Sequence, residues 1–202
     1  LNVNYIEVTE VESFDKIGNN IVYNSHICAV IFRGPNPYVL DFSLRKYPQY
    51  HSWRTISDVE AIASFYNNKG SDVLIANESL ASLDKAETYF IMATKLYPEF
   101  AQAYNNLGVL KMRQFEPEEA EEMYLKALEI KPGYFAADNN LSKIYINKGQ
   151  IEKAVLLMKD AIKASPKNHY AYLNLAKIHI SQKDYSEAEN VLQLALVKKK
   201  DF

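Results

Sequence analysis

Three side chains near the start of the chain are of the types that thiol-based acyl chemistry requires: His26, Cys28 and Asp41. In such chemistry an imidazole takes the thiol proton and a carboxylate fixes the imidazole's orientation. Residues 24–32 and 38–42 are rich in strand formers, and Arg33-Gly34-Pro35-Asn36-Pro37 punctuates them, which predicts a hairpin. If 33–36 form the loop, Phe32 faces Pro37, and Asp41 lies opposite Cys28 and diagonal to His26 on one sheet face. A slip of one residue would send the two side chains to opposite faces. Cys28 is a poor nucleophile for this pair. It shares a strand with His26, with the two side chains rooted about 7 Å apart. It also lacks the helix N-terminus that lowers a thiol pKa. It is expected to pack as a small apolar residue, which leaves His26 and Asp41 as a pair without a nucleophile.

A second set of residues could bind rather than react. Asn68, Asn106, Asn140 and Asn174 form one row of amides, and Asn67, Asn105 and Asn139 form its neighbour. A primary amide donates and accepts at once, so a row of them can pair with the backbone of an extended peptide. Arg113, Lys143, Lys177, Tyr170 and Leu173 stand around these rows. That setting is mildly cationic and suits an acidic or carboxylate-ended segment. His51, His169 and His179 share no metal-ligand spacing, and no phosphate-binding glycine loop, serine elbow or dinucleotide fingerprint occurs. Neither a metal nor another cofactor is expected.

The elements that carry the amides repeat. Tyr104-Asn105-Asn106-Leu107-Gly108 recurs as Asp138-Asn139-Asn140-Leu141-Ser142 and as Tyr172-Leu173-Asn174-Leu175-Ala176, each step being 34 residues. The same step links Ala120, Ala154 and Ala188, then Tyr124, Met158 and Leu192, then Ala127, Ala161 and Ala195, and it pairs Pro132 with Pro166. Tyr66-Asn67-Asn68-Lys69-Gly70 precedes its counterpart by 38, whereas Ala86, Phe90, Ala93 and Pro98 keep the step of 34. The four extra residues are expected around Glu78–Ser82, in the turn joining the first pair of helices. This pattern resembles the tetratricopeptide repeat, a helix–turn–helix unit that stacks into a superhelix. The resemblance implies four repeats, 63–100, 101–134, 135–168 and 169–202. It also implies that the first helix of each lines a concave face, where the amides would lie. The lysine–asparagine–arginine clamp by which some relatives hold chaperone tails is missing: Ser71 and Val109 replace asparagine, and Asn174 stands in the arginine position.

The segment before the repeats differs in composition. Ala29 is the sole alanine of residues 1–60, and Tyr5-Ile6-Glu7-Val8-Thr9-Glu10-Val11 alternates with the period of a half-buried strand. Ser57-Asp58-Val59-Glu60 has capping-box spacing, which places the change to helix there. The expected fold is therefore mainly α, a tetratricopeptide superhelix over 57–202 preceded by a small antiparallel β segment over 1–56. The strands bearing His26 and Asp41 resemble the histidine and aspartate strands of transglutaminase-like proteins. Bacterial members continue in the same order through a capped helix into repeats. That family opens a helix with its cysteine upstream of the histidine strand, and residues 1–25 hold none.

Composition closes off other classes. There are 25 acidic against 23 basic side chains, with a net charge of −2, which removes the basic footprint of a nucleic-acid binder. One cysteine cannot form an intrachain disulfide. No apolar run reaches the roughly 20 residues of a membrane span. The chain opens on Leu1, so a processed leader or a longer parent protein is expected. The function that follows is an interaction module binding a peptide or protein segment on its concave face. One alternative is the C-terminal piece of a transglutaminase-like enzyme whose nucleophile lies upstream, since the chain as given is not expected to be a competent enzyme. The other is a structural unit forming homo-oligomers through an uncapped last repeat. The bacterial resemblance implies the cytoplasm or the periplasm, with the choice open.

Overall fold

The computed structural model describes the backbone of residues 3–8, 14–17, 20–23, 26–33, 36–40, 53–76 and 79–200, and the side chains of 56–76 and 79–197. By contact the chain divides into two compact units, Leu1–Leu110 and Lys111–Phe202. Eight helices dominate the described residues: α1 (Asp58–Ala76), α2 (Leu80–Leu96), α3 (Ala101–Arg113), α4 (Pro117–Ile130), α5 (Phe135–Asn147), α6 (Ile151–Ala164), α7 (His169–Ser181) and α8 (Tyr185–Lys200). The starts of α3, α5 and α7 are 34 residues apart, as are those of α4, α6 and α8.

In the first unit the backbone before α1 runs as short strands. β1 (Val3–Val8), β4 (His26–Arg33), β5 (Asn36–Leu40) and β6 (Trp53–Ile56) pair in the order β5-β4-β1-β6, and β2 (Phe14–Ile17) pairs with β3 (Asn20–Tyr23). β4 and β5 are antiparallel with Phe32 across from Pro37. Asp41 lies outside the described residues, and so does the His26 side chain.

Helix α1 starts where its sequence can satisfy the free backbone donors. The Ser57 N–H donates to Glu60 Oε2 at 2.8 Å, and the Glu60 N–H donates to Ser57 Oγ at 3.2 Å. These reciprocal bonds are the capping box that the Ser-x-x-Glu spacing predicts. The helix then crosses α2 closely at Gly70. A Cβ there would stand 2.6 Å from the Phe90 ring, so hydrogen is the largest substituent that fits. Ala63, Ala93, Phe100 and Ala103 form a buried cluster, with Tyr66 and Tyr97 packed on it.

The four extra residues of the first repeat are not in its turn. Relative to α3 and α4 at corresponding positions, α1 ends one residue later and α2 begins three residues earlier. The connection therefore keeps the length it has in the other repeats, and the insertion lengthens the helices. Ser79 makes this possible by capping α2 early, its side chain accepting from the Ser82 N–H at 3.3 Å.

Helix ends recur with the period of the sequence. Tyr97, Lys131 and Ser165 close α2, α4 and α6 with φ of −131°, −134° and −137°. Each N–H bonds back at 2.9 Å to the carbonyl of Ala93, Ala127 or Ala161. Pro98, Pro132 and Pro166 follow directly, and a proline disfavours helical backbone in the residue before it. The aligned alanines are buried because the second helices need a flat face: Ala120 and Ala154 have no exposed surface and Ala188 has 3%. Tyr124 and Met158, at matching places in α4 and α6, are fully buried as well.

Candidate interaction surface

In the first unit the asparagines are joined to one another. Asn106 donates from Nδ2 to Asn67 Oδ1 at 2.9 Å and to Ser71 Oγ at 3.2 Å. Asn105 Nδ2 donates to Asn106 Oδ1 at 3.1 Å, and Asn67 Nδ2 to Asn68 Oδ1 at 3.4 Å. Ser71 Oγ completes the circuit by donating to the Asn67 carbonyl at 3.0 Å. Asn67, Asn105 and Asn106 have no exposed surface, and Asn68 is half-buried. Buried amides must find partners or pay for lost hydration. These find them across the α1–α3 junction.

The second unit repeats the arrangement. Asn174 Nδ2 donates to Asn139 Oδ1 at 3.0 Å, and Asn139 Nδ2 to Asn140 Oδ1 at 3.3 Å. Asn139 and Asn140 are buried, whereas Asn174 is half-buried. In each unit an amide of one row accepts from the other row of the next repeat. Five of the seven predicted amides thus stand inside repeat junctions, and Asn68 and Asn174 are the two that reach the surface.

Beside Asn174 the first helices α5 and α7 present an outer face. Tyr170, Leu173, Asn174 and Lys177 recur at helical spacing along α7, and Lys143 occupies on α5 the place that Lys177 has on α7. The Tyr170 ring packs on Phe135 at 4.5 Å between centroids and on His169 at 4.2 Å. Leu173 is 39% exposed, Lys177 is exposed, and Lys143 and Tyr170 are half-buried. One end of this face is aromatic. The other is cationic, about 10 Å further along the helices. Arg113, at the end of α3, is half-buried.

Other polar groups are internal. Asp138 holds the place of Tyr104 and Tyr172 in the neighbouring repeats; it is buried, and its Oδ2 has no hydrogen-bond partner among the described residues. Burial pushes its carboxyl up to about 7, because a charged carboxylate loses hydration there. His179 is buried with Nδ1 3.5 Å from Asp184 Oδ2, and Lys111 with Glu116 at 2.9 Å is the matching pair two repeats earlier. His169 is exposed at the opposite end of α7 from His179. Among the described residues no group of three or more His, Cys, Asp or Glu could hold a metal ion, and no helix is long and apolar enough to cross a membrane.

Comparison with known proteins bears on these helices. Residues 101–134 match one tetratricopeptide-repeat model and residues 149–201 match another. The chain carries tetratricopeptide repeats. Solved structures of like fold include pilF of Pseudomonas aeruginosa (TM-score 0.58, 20% identity), covering 72% of this chain and 65% of that one. MamA is similar over 71% of this chain and 80% of its own (TM-score 0.54, 20% identity). A thermophilic tetratricopeptide protein of Thermus thermophilus is similar over 68% and 75% (TM-score 0.52, 21% identity). The match therefore spans less than two thirds of the pilF chain. Likeness at this identity concerns the fold, and no curated protein matches the sequence. The resemblance of the first 56 residues to transglutaminase-like proteins has no counterpart in these matches.

Proposed function

We propose that the chain is a protein-interaction module with a β-rich region over 1–56 and four repeats over 57–202, taking an extended acidic peptide or protein segment on its first-helix face. The observation that carries this reading is the shared face of α5 and α7. There the Phe135–Tyr170 aromatic pair lies at one end and Lys143 and Lys177 at the other. A segment with an apolar side chain followed by carboxylates about three residues on would match both ends. Asn174 is the amide placed to meet its backbone, with Asn68 as its counterpart in the first unit. The buried Asn67, Asn105, Asn106, Asn139 and Asn140 support the face by fixing the helices, and Arg113, at the end of α3, is a further cation of the proposed binding set. A fluorescein-labelled peptide of one phenylalanine followed by five glutamates provides the probe. Its anisotropy should rise with added protein, and Lys143→Glu combined with Lys177→Glu should weaken binding at least about tenfold. Equal binding by wild type and double variant would remove the face from consideration.

The register with Phe32 across from Pro37 favours a second reading. In it His26 and Asp41 descend from the catalytic pair of a transglutaminase-like enzyme and act with a cysteine upstream of this chain. Amide hydrolysis and thiol labelling in the full-length native product, lost on His26→Ala, are its expected signature. Activity that survives the substitution refutes it.

A further inference from the structure

Phe115 violates two preferences at once. Its φ is 62°, in the left-handed region, and its side chain is 91% exposed. The backbone there is dictated by the repeat. Gly149 and Lys183, at successive steps of 34, have φ of 69° and 63°. All three turns close with the same pair of bonds. Phe115, Gly149 and Lys183 donate to Met112, Ile146 and Ile180 at 3.3, 3.0 and 2.9 Å, and the following N–H groups donate to Lys111, Tyr145 and His179 at 2.9, 2.8 and 2.9 Å. Glycine satisfies this conformation at no steric cost, and lysine at least keeps its charge in water. A phenylalanine gains neither advantage and leaves its ring in solvent, so packing within its own turn does not account for it. Strain and exposure at one residue point to contact with something outside the molecule.

The surroundings say of what kind. Helix α4 opens just after this ring with Glu118, Glu119, Glu121 and Glu122, of which Glu118, Glu119 and Glu122 are exposed. Lys148 lies within ion-pair distance of Glu118 and Glu121, and Lys111 of Glu116 and Glu119. With Arg113, three cations accompany the five carboxylates Glu116, Glu118, Glu119, Glu121 and Glu122, so the turn keeps an acidic balance around an aromatic knob. That combination disfavours an anionic membrane. It matches the face of α5 and α7, where aromatic rings lie about 10 Å along the helices from Lys143 and Lys177. We infer that the Phe115 turn of one molecule docks on the α5–α7 face of a second copy. This rests on the reading of that face given above and names its partner. Because donor and acceptor surfaces differ, the contact is head-to-tail and can propagate into open chains.

Sedimentation velocity over a concentration series tests this directly. Wild type should show an average mass that rises with concentration and falls when salt is raised. Phe115→Gly should weaken the association at least about tenfold while its Tm rises by about 2–4 °C, since glycine suits the turn. Glu118→Lys with Glu122→Lys, and separately Lys143→Glu with Lys177→Glu, should each stay monomeric alone. An equimolar mixture of these two proteins should associate, because each acidic knob then meets a basic face and each basic knob an acidic one. A wild type that is monomeric throughout, association unaltered in Phe115→Gly, or a mixture no heavier than its components would each overturn the inference. If the labelled phenylalanine–glutamate peptide still binds in a Lys143- and Lys177-dependent way, such a result leaves the binding face standing and removes only the second copy as its partner. If the peptide also fails to bind, both readings fall.

Discussion

The amide junction between α1 and α3 and the one between α5 and α7 use the same atoms in different surroundings. In the first, Asn106 and Asn67 are fully buried, and Ser71 and Asn105 add bonds of 3.2 and 3.1 Å. In the second, Asn174 is half-buried and donates to Asn139 at 3.0 Å from a position that water can also reach. The same residue type therefore serves as an interior fastener in one place, and as a fastener that also touches solvent in the other. The value of a hydrogen bond depends on what water can replace once it is lost. The first junction is expected to contribute mostly to stability, and the second to both stability and recognition.

The largest effect should come from the buried junction. Asn106→Ala removes the bonds to Asn67, Ser71 and Asn105 without admitting water, and should lower the unfolding free energy by about 2–3 kcal/mol in urea titration. A loss no greater than that of Asn174→Ala would erase the contrast between the two sites.

Asp138 gives the next effect, and it sharpens the contrast from the other side. It adjoins Asn139 in sequence, and its carboxyl is pushed from near 3.8 up to about 7 by burial. The fold favours its neutral form, so the unfolded chain holds fewer protons than the folded one between these values. Stability from this group is complete below pH 4 and is lost as pH rises through about 7. Asp138→Asn should therefore raise stability at neutral pH by about 2 kcal/mol and flatten the curve between pH 4 and 7. An unchanged pH profile in this variant would show that the carboxyl is ionised at no cost.

The smallest effect belongs to the half-buried amide. Asn174→Ala should cost about 1 kcal/mol of stability, because water can serve part of what the side chain loses. It should also weaken the labelled peptide more than Asn106→Ala does.

Much of this architecture is legible in the chain. The step of 34 sets the helix starts at Ala101, Phe135 and His169, and the serine–glutamate spacing at residue 57 marks the start of α1. The placing of the insertion was not legible, because helix ends extend as far as a cap such as Ser79 allows. The rows of asparagines were visible, but which amides would be buried was not. Adjacent positions on a helix point about 100° apart, and only packing decides which one meets the next repeat. Phe115 was legible in principle as the odd member of the set with Gly149 and Lys183, and Asp138 as the odd member with Tyr104 and Tyr172. Both deviate from the repeat's own pattern, and deviations of that kind stand out only when the units are laid side by side.

The central claim is that the amides fasten repeat to repeat, and a double-mutant cycle on Asn139 and Asn174 reads that bond alone. Urea unfolding of Asn139→Ala, Asn174→Ala and the double variant should give a coupling energy of about 1 kcal/mol, the double costing less than the two singles together. Strict additivity would contradict the account, since two side chains that do not bond to each other lose nothing in common.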